Sequence, residues 1–373
     1  MHLTKEEEKM LDSDNETLRK CMEILVAVGE TNDAERLVEI TSAHISGVSY
    51  DNIGEAGLEW LESLEGKVKV PATVNPAGMD LKKWKEMGIS EDFYEKQMRV
   101  LRVFEKLGVE LALTCTPYYL SRPKYGEHIA WAESSAIVYA NSIIGARTNR
   151  ECGPCALAAA IVGKTPYYGL HVKENRAPTI TVKIKGDLAA AGYIGGEELK
   201  NEIPYFVFDR EVPEYELKLL GAALAASGNT AMFHAEGITP EWKDFEKPSE
   251  KIEIVGELRT ECEPDLITIG CPHTSKEELE LILKLLKGRK VRKEFWIFTS
   301  RKISGESSDL VEKLESLGVK VFNDTCMVVS PATQRFECIM VNSGKAFNYL
   351  PLMRKVEVTF GDLKTCVEKA VKG

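Results

Sequence analysis

The chain has 373 residues, 44% apolar and 28% charged, with a net charge of −10. That length predicts two or three domains, and the charge argues against nucleic acid or an anionic membrane as the main partner. The acidic start, MHLTKEEEKMLDSD, lacks the apolar core of a secretory signal. No window reaches about 18 unbroken apolar residues, so no membrane-spanning helix is expected and the cytoplasm is the default location.

Apolar spacing predicts a helix over residues 15–29, with Leu18, Met22, Leu25 and Val26 on one face. Residues 37–40 read as a strand before the Ser- and Gly-rich loop TSAHISGVSYDN, and 55–64 as a helix. A short strand is expected at 67–70, ahead of PATVNPAGMD, and a helix at 91–107. Residues 111–113 read as the end of a buried strand that stops near Cys115, because Pro117 lacks an amide donor. A polar loop with Arg122, Lys124 and His128 follows, then one long apolar helix over 129–144 carrying Glu133, Ser134 and Ser135 near its start.

Residues 156–162 form a small-residue helix, 178–185 an alternating strand, 214–227 a helix and 241–251 the main linker. The last part repeats the pattern, with strands at 266–269, 295–298 and 319–322, another in CIMVNSGKAFNYLP, and helices at 276–286 and 309–317. Strand and helix alternate, with polar loops after the strands. This predicts an α/β fold with sites at strand carboxyl ends, in units spanning 1–165, 166–250 and 251–373.

Nine cysteines, an odd number in a large unsecreted chain, argue for reduced thiols, some of them metal ligands. Cys115 in LTCTP, Cys271 in GCPH and Cys326 in DTCMVVSP each follow a short apolar run and precede a proline. A thiolate leaving a strand end is well placed as a ligand, and three of them would leave one iron of a [4Fe–4S] cluster open. Buried free cysteine is also a common small hydrophobe, and spacing alone leaves both readings open. Cys152 and Cys155 in CGPC look like a thioredoxin motif before a helix, a partial ligand set, or a solvent-facing loop that carries two thiols. Cys21, Cys338 and Cys366 read as packing residues; Cys262 stays open.

Other groups carry two readings each. The run SGVS could offer backbone donors to an anion or be an ordinary turn. Asn75-Pro76 is common turn chemistry. Lys345, after a Gly turn, and Arg301, at a strand end, suit an anionic ligand or solvent. Glu133 beside Trp131 costs energy to bury unless paired, so it is either functional or exposed. The histidines form no metal motif, though His273 is expected to face the cleft of Cys271. No GxSxG elbow favours a serine hydrolase.

Taken together, SGVSYDNIGEAGLEWL, VPATVNPAGMD, LTCTPYY, WAESSAIVYANSIIGARTNRE, FHAEGITPEW, IGCPH, FNDTC and NSGKAFNYLP resemble the aconitase X family, in the family's order. The resemblance implies an aconitase-like, multi-domain α/β catalytic subunit that lacks the swivel domain fused in longer members. It implies an iron–sulfur hydro-lyase, as in archaeal members that dehydrate (R)-5-phosphomevalonate to trans-anhydromevalonate 5-phosphate in the mevalonate route to isoprenoids. A [4Fe–4S] cluster would sit on Cys115, Cys271 and Cys326. Gly47, Val48, Ser49, Asn75, Pro76, Glu133, Ser134 and Lys345 would contact substrate, with Glu133 and Lys345 catalytic. The partner would be a small swivel-domain subunit that supplies a serine base. The family usually has Gly and Ser where this chain has Cys152 and Cys155, which demotes that pair as ligands. A hydroxyproline dehydratase within the family, a CGPC thiol oxidoreductase and a non-enzymatic scaffold subunit are the competing functions.

Overall fold

A computed structural model of the chain describes residues 1–258 and 262–372. The first unit holds α1 (Lys5–Leu11), α2 (Glu16–Thr31), β1 (Leu37–Glu39), β2 (Ala43–Ile45), α3 (Tyr50–Glu62), β3 (Ala72–Val74), α4 (Glu91–Lys106), β4 (Ala130–Trp131), α5 (Ser134–Tyr139), α6 (Gly153–Val162) and β5 (Lys164–Pro166). Its main sheet is parallel, in the order β3-β2-β4, and β1 and β5 form a separate antiparallel pair. Met22, Leu25, Val100, Leu101, Phe104 and Leu157 from α2, α4 and α6 share one core with these strands. Residues 156–162 of α6 are all buried, as expected of a helix apolar on every side.

Three predicted elements in this unit fold differently. The strand expected at 67–70 lies instead at Ala72–Val74, where Ala72 and Val74 pair with Ala43 and Ile45, and the Pro71 carbonyl still accepts from the Ala43 amide at 3.0 Å. Residues 111–113 form no strand: pairing stops at a single bridge between Glu110 and Thr73, and Leu113 turns to φ 46°. The long helix over 129–144 is broken. The Ala130 and Ala132 amides donate to Ser42 and His44 carbonyls, so the chain extends as β4 before α5 begins, and a wide π turn at Ala140–Ile144 ends it.

The second unit holds β6 (Ile180–Gly186), α7 (Leu188–Glu198), β7 (Pro204–Val207), α8 (Glu214–Gly228), β8 (His234–Ala235) and β9 (Lys251–Gly256). All its pairings are parallel, in the order β8-β7-β6-β9. Because β9 runs in register along β6, residues 251–256 sit in this sheet and not in the third unit.

The third unit holds β10 (Leu266–Thr274), α9 (Lys276–Leu286), β11 (Glu294–Thr299), α10 (Arg301–Glu306), α11 (Ser308–Ser316), β12 (Lys320–Phe322), β13 (Cys338–Val341), α12 (Gly344–Arg354), β14 (Glu357–Phe360) and α13 (Leu363–Lys372). Its parallel sheet runs β12-β11-β10-β13-β14, and all nine residues of central β10 are buried, as in sheets covered on both faces. Lys345 therefore lies in the first turn of α12 and not after a free Gly turn. Among the described residues no helix is long and apolar enough to cross a membrane.

Not all thiols are free. Cys152 pairs with Cys155, and Cys262 with Cys338, at Cα separations of 5.0 and 6.1 Å. Cys338 begins β13, beside the entry to β10 that Cys262 precedes. Sheet order brings together what sequence distance conceals.

Candidate active site

The loops at the carboxyl ends of β2, β3 and β4 meet those of β10, β12 and β13. Docking is polar and specific. The Asp80 carboxylate, fully buried, accepts from the Asn323 amide at 2.8 Å, and Arg301 binds both Asp80 and Asp324. The Ala77 amide donates to the Asp324 carbonyl at 2.8 Å. Loop 75–83 is thereby fixed against the loop that bears Cys326. Arg301 serves this junction, so it is spent on structure.

At the centre Glu133 caps α5 by accepting from the Ser135 amide, and its carboxylate binds the Lys345 ammonium. Glu133 also accepts from Asn75 Nδ2 at 2.6 Å and from Ser135 Oγ at 2.9 Å. Behind Asn75, its Oδ1 lies 2.8 Å from His44 Nε2, and His44 Nδ1 lies 2.7 Å from Thr73 Oγ1. The amide oxygen can only accept, so Nε2 carries the proton and Nδ1 receives the Thr73 hydroxyl. Burial alone would raise the Glu133 pKa; the Lys345 charge and the hydrogen bonds from Lys345, Asn75 and Ser135 overcome it and hold the carboxyl at about 2. For Lys345, burial works against the charge and Glu133 outweighs it, so the ammonium titrates above its ordinary value. Burial holds His44 down at about 4. Near pH 7 the site thus contains a carboxylate, an ammonium and a neutral imidazole.

Cys115, Cys271 and Cys326 are free, none more than 6% exposed. Their thiols interact electrostatically with one another and with Glu133 and Lys345. His273, two residues after Cys271 in β10, links that strand to the loops that carry Cys115 and Cys326. Its amide donates to Cys115 Sγ at 3.2 Å, its Nδ1 is 3.0 Å from Thr114 Oγ1, and its Nε2 donates to the Thr325 carbonyl at 2.8 Å. Burial keeps that imidazole neutral, at about 4. Burial also pushes the Cys115 thiol up to about 12 and raises Cys271 and Cys326. The Val328 and Val329 amides oppose this at Cys326 by donating to its sulfur.

Gly344 explains how Lys345 reaches the centre. A Cβ there would lie 2.5 Å from the Ala189 carbonyl oxygen and 2.7 Å from Ala223 Cβ, so only glycine lets α12 start against α7 and α8. Ser343 caps the helix and its hydroxyl donates to the Cys271 carbonyl, tying the lysine's turn to the strand β10 that carries this cysteine.

The structure thus gathers Asn75, Glu133, Ser134, Lys345 and the three cysteines. Pro76 is buried beside Asn75, and Ser134 Oγ lies 3.5 Å from Glu133. The loop with Gly47, Val48 and Ser49 caps α3; Val48 and Ser49 are buried, and Ser49 Oγ donates to the Val329 carbonyl at 3.4 Å. The amides of Gly47 and Val48 donate to no described protein acceptor. Arg122 and Lys124, grouped with Cys115 in sequence, line a separate cavity of about 750 Å³ with Lys302. His44 and Ser135 were given no site role by the sequence, although Ser135 was noted beside Glu133. A polar residue inside the short run AHI, and a serine two positions after an acid at a helix start, were the available signals.

Comparison with known proteins agrees along the whole chain. Residues 1–174 match the model of the aconitase X first domain, 174–263 the second and 264–372 the third. The phosphomevalonate dehydratase large subunit of Methanosarcina mazei is 50% identical, covering 100% of this chain and 98% of that protein. The protein of the same name from Methanocaldococcus jannaschii is 46% identical, with all of both chains covered. The crystal structure of Thermococcus kodakaraensis aconitase X in its holo form superposes with a TM-score of 0.92 at 41% identity, covering 99% of this chain and 100% of that one. Motif order, fold and full-length identity coincide, and the chain belongs to the aconitase X family.

Proposed function

We propose that the chain is the large subunit of a hydro-lyase that dehydrates (R)-5-phosphomevalonate to trans-anhydromevalonate 5-phosphate in the mevalonate pathway. The observation that carries this reading is the buried Glu133–Lys345 pair set beside three free cysteines, in a chain whose full-length relatives bear that name. An anionic hydroxy acid needs a cation at its charged end, and Lys345 is a permanent one.

The cysteine set suits an iron–sulfur cluster. The three thiols are free, buried and interact with one another, and backbone amides at Cys115 and Cys326 favour the thiolate form. Cys115, Cys271 and Cys326 would hold a [4Fe–4S] cluster, which when bound supplies an open Lewis-acid position for the departing hydroxyl.

The chain's own residues do the rest. Lys345 places positive charge where the substrate carboxylate gains electron density as the α-proton leaves. Glu133 fixes that ammonium; held ionised far below neutrality, it is a weak base and acts by orientation and hydrogen bonding. Asn75, locked by neutral His44, and Ser135 hold Glu133 in one rotamer. Gly47, Val48, Ser49, Pro76 and Ser134 shape the substrate's wall. The proton acceptor is a serine of a small swivel-domain subunit, so catalysis requires a heterodimer, in the cytoplasm.

The test is reconstitution under anaerobic conditions with iron and sulfide, with and without the small subunit. Phosphomevalonate dehydration is expected only in the mixture, and no turnover of hydroxyproline is expected. Full turnover by the isolated chain would refute the shared site; preference for hydroxyproline would refute the substrate.

A further inference from the structure

Lys218 lies inside the apolar run LKLLGAALAA of α8 and is only 2% exposed. A buried ammonium costs energy unless paired. Its partner is the carboxylate of Glu278 on α9, and the pair joins the second unit to the third. Glu278 does not depend on the lysine for its place. It closes a capping box at the start of α9, accepting from the Ser275 amide at 2.8 Å while its own amide donates to Ser275 Oγ at 3.3 Å. The other contacts of Lys218 point to a further task.

Its Nζ donates to the His273 carbonyl at 3.0 Å and lies 5.7 Å from the centre of the Tyr119 ring, within cation–π reach. Both contacts fall beside cysteines. Tyr119 ends the helical turn Pro117–Tyr119, which begins two residues after Cys115. His273 follows Cys271 by two residues in β10, and its amide donates to Cys115 Sγ at 3.2 Å. That stretch of β10 needs outside support. Neither β11 nor β13 has a partner in register for residues 270–273: the ladder with β11 breaks between Ile269 and Thr274, and that with β13 ends at Thr268. Side chains take over the carbonyls, Ser343 binding that of Cys271 and Lys218 that of His273. With the imidazole on Thr114 and Thr325, every polar group of His273 has a partner.

We propose that Lys218 is a positioning residue for the cysteine ligands: from the second unit it fixes the His273 peptide and the turn after Cys115, and so holds Cys115 and Cys271 in the arrangement that binds the cluster. The inference rests on the reading of Cys115, Cys271 and Cys326 as ligands. It gives a part in the chemistry to the second unit, which supplies none of the side chains gathered at the site. Groups one bond behind a ligand set its orientation, and their loss weakens metal binding without touching the metal.

Two measurements on the full chain test this. Alkylation of the iron-free chain by iodoacetamide, read at each cysteine by mass spectrometry, needs no cluster; loss of the reconstituted cluster to a chelator is followed by its visible absorption. Lys218→Met leaves Glu278 buried without its counter-ion, so the double variant Lys218→Met/Glu278→Gln carries the test. It removes both charges, keeps the capping box, and is expected to melt at the wild-type temperature. In it Cys115 and Cys271 should alkylate at least about 10-fold faster, the worth of one hydrogen bond from a charged donor. Cys21 and Cys366, free and buried elsewhere, should keep their wild-type rates. Cluster loss should quicken about 10- to 100-fold. Unchanged rates at all four cysteines, faster alkylation at Cys21 and Cys366 as well, or wild-type retention of the cluster would overturn the assignment. A wild-type chain that takes up no cluster would instead overturn the ligand reading, and this proposal with it.

Discussion

Two groups of cysteines stand apart here, and their surroundings differ in kind. Cys115, Cys271 and Cys326 are buried, unpaired and joined through His273, which reaches Thr114 and Thr325 at once. Cys152 and Cys155 sit at the start of α6; Cys152 is exposed, caps its own helix by accepting from the Cys155 amide at 3.1 Å, and is paired with Cys155. The compact CGPC spacing looks more like chemistry in a sequence than three dispersed thiols do. In the folded chain the dispersed set is the one placed beside an ion pair. Proximity in sequence measures a local turn; a reaction centre between units must be assembled from distant strand ends.

The sharpest way to break this contrast is to remove thiols from the buried set. Cys115→Ser, Cys271→Ser and Cys326→Ser are each expected to weaken or abolish the cluster's visible absorption after reconstitution and to reduce dehydration by about 10³-fold, the worth of several kcal/mol of Lewis-acid stabilisation. Undiminished absorption in all three variants would end the assignment of these residues as ligands.

A second, smaller effect lies in the ion pair. Glu133→Gln leaves the Lys345 ammonium buried without its counter-ion, which should cost about 3–5 kcal/mol in stability. Turnover should fall about 10²-fold as the ammonium loses its fixed position. The pH dependence has a definite sign. The folded Glu133 titrates at about 2, below its unfolded value of 4.5, so its contribution is complete above pH 4.5 and is lost as pH falls from there toward 2. Lys345 is displaced upward, so its contribution is complete below pH 10.5 and is lost as pH rises through its folded value. Urea unfolding of wild type and Glu133→Gln at pH 7 and pH 3 should show the smaller pH difference in the variant; equal differences would refute the coupling.

Much of this arrangement was legible in the sequence, and the reasons for the rest are physical. Alternation of apolar runs with polar loops gave the parallel α/β organisation and placed Cys326 after a strand and Glu133 at a helix start, whereas Cys115 follows no strand and Cys271 lies inside β10, which runs on to Thr274. Periodicity failed where tertiary pairing set the backbone: the run containing Ala130 and Trp131 is apolar enough for a helix but is drawn into the sheet by Ser42 and His44. Lys345 looked like a residue after a turn because its helix contains Pro351 and starts at a glycine, both poor helix formers; contact with α7 and α8 selects Gly344 instead. The relay through His44 and Asn75 depends on which loops face one another. No local pattern encodes that.

The remaining contrast is tested at its quiet end. If the CGPC turn were a thiol oxidoreductase centre, Cys152→Ser would abolish activity and iron would be irrelevant. Its position argues otherwise. Cys152 is an exposed cap at the start of a helix whose first glycine abuts Ser46. A serine oxygen can accept the same Cys155 amide, since serine is among the preferred helix caps. Cys152→Ser is therefore expected to keep dehydration by the assembled complex within about twofold, and to lower stability by about 2–3 kcal/mol or less, the limit for opening so short a loop. A loss as large as that of the buried cysteines would mean that the pair acts on the substrate loop, and the distinction between the two groups would collapse.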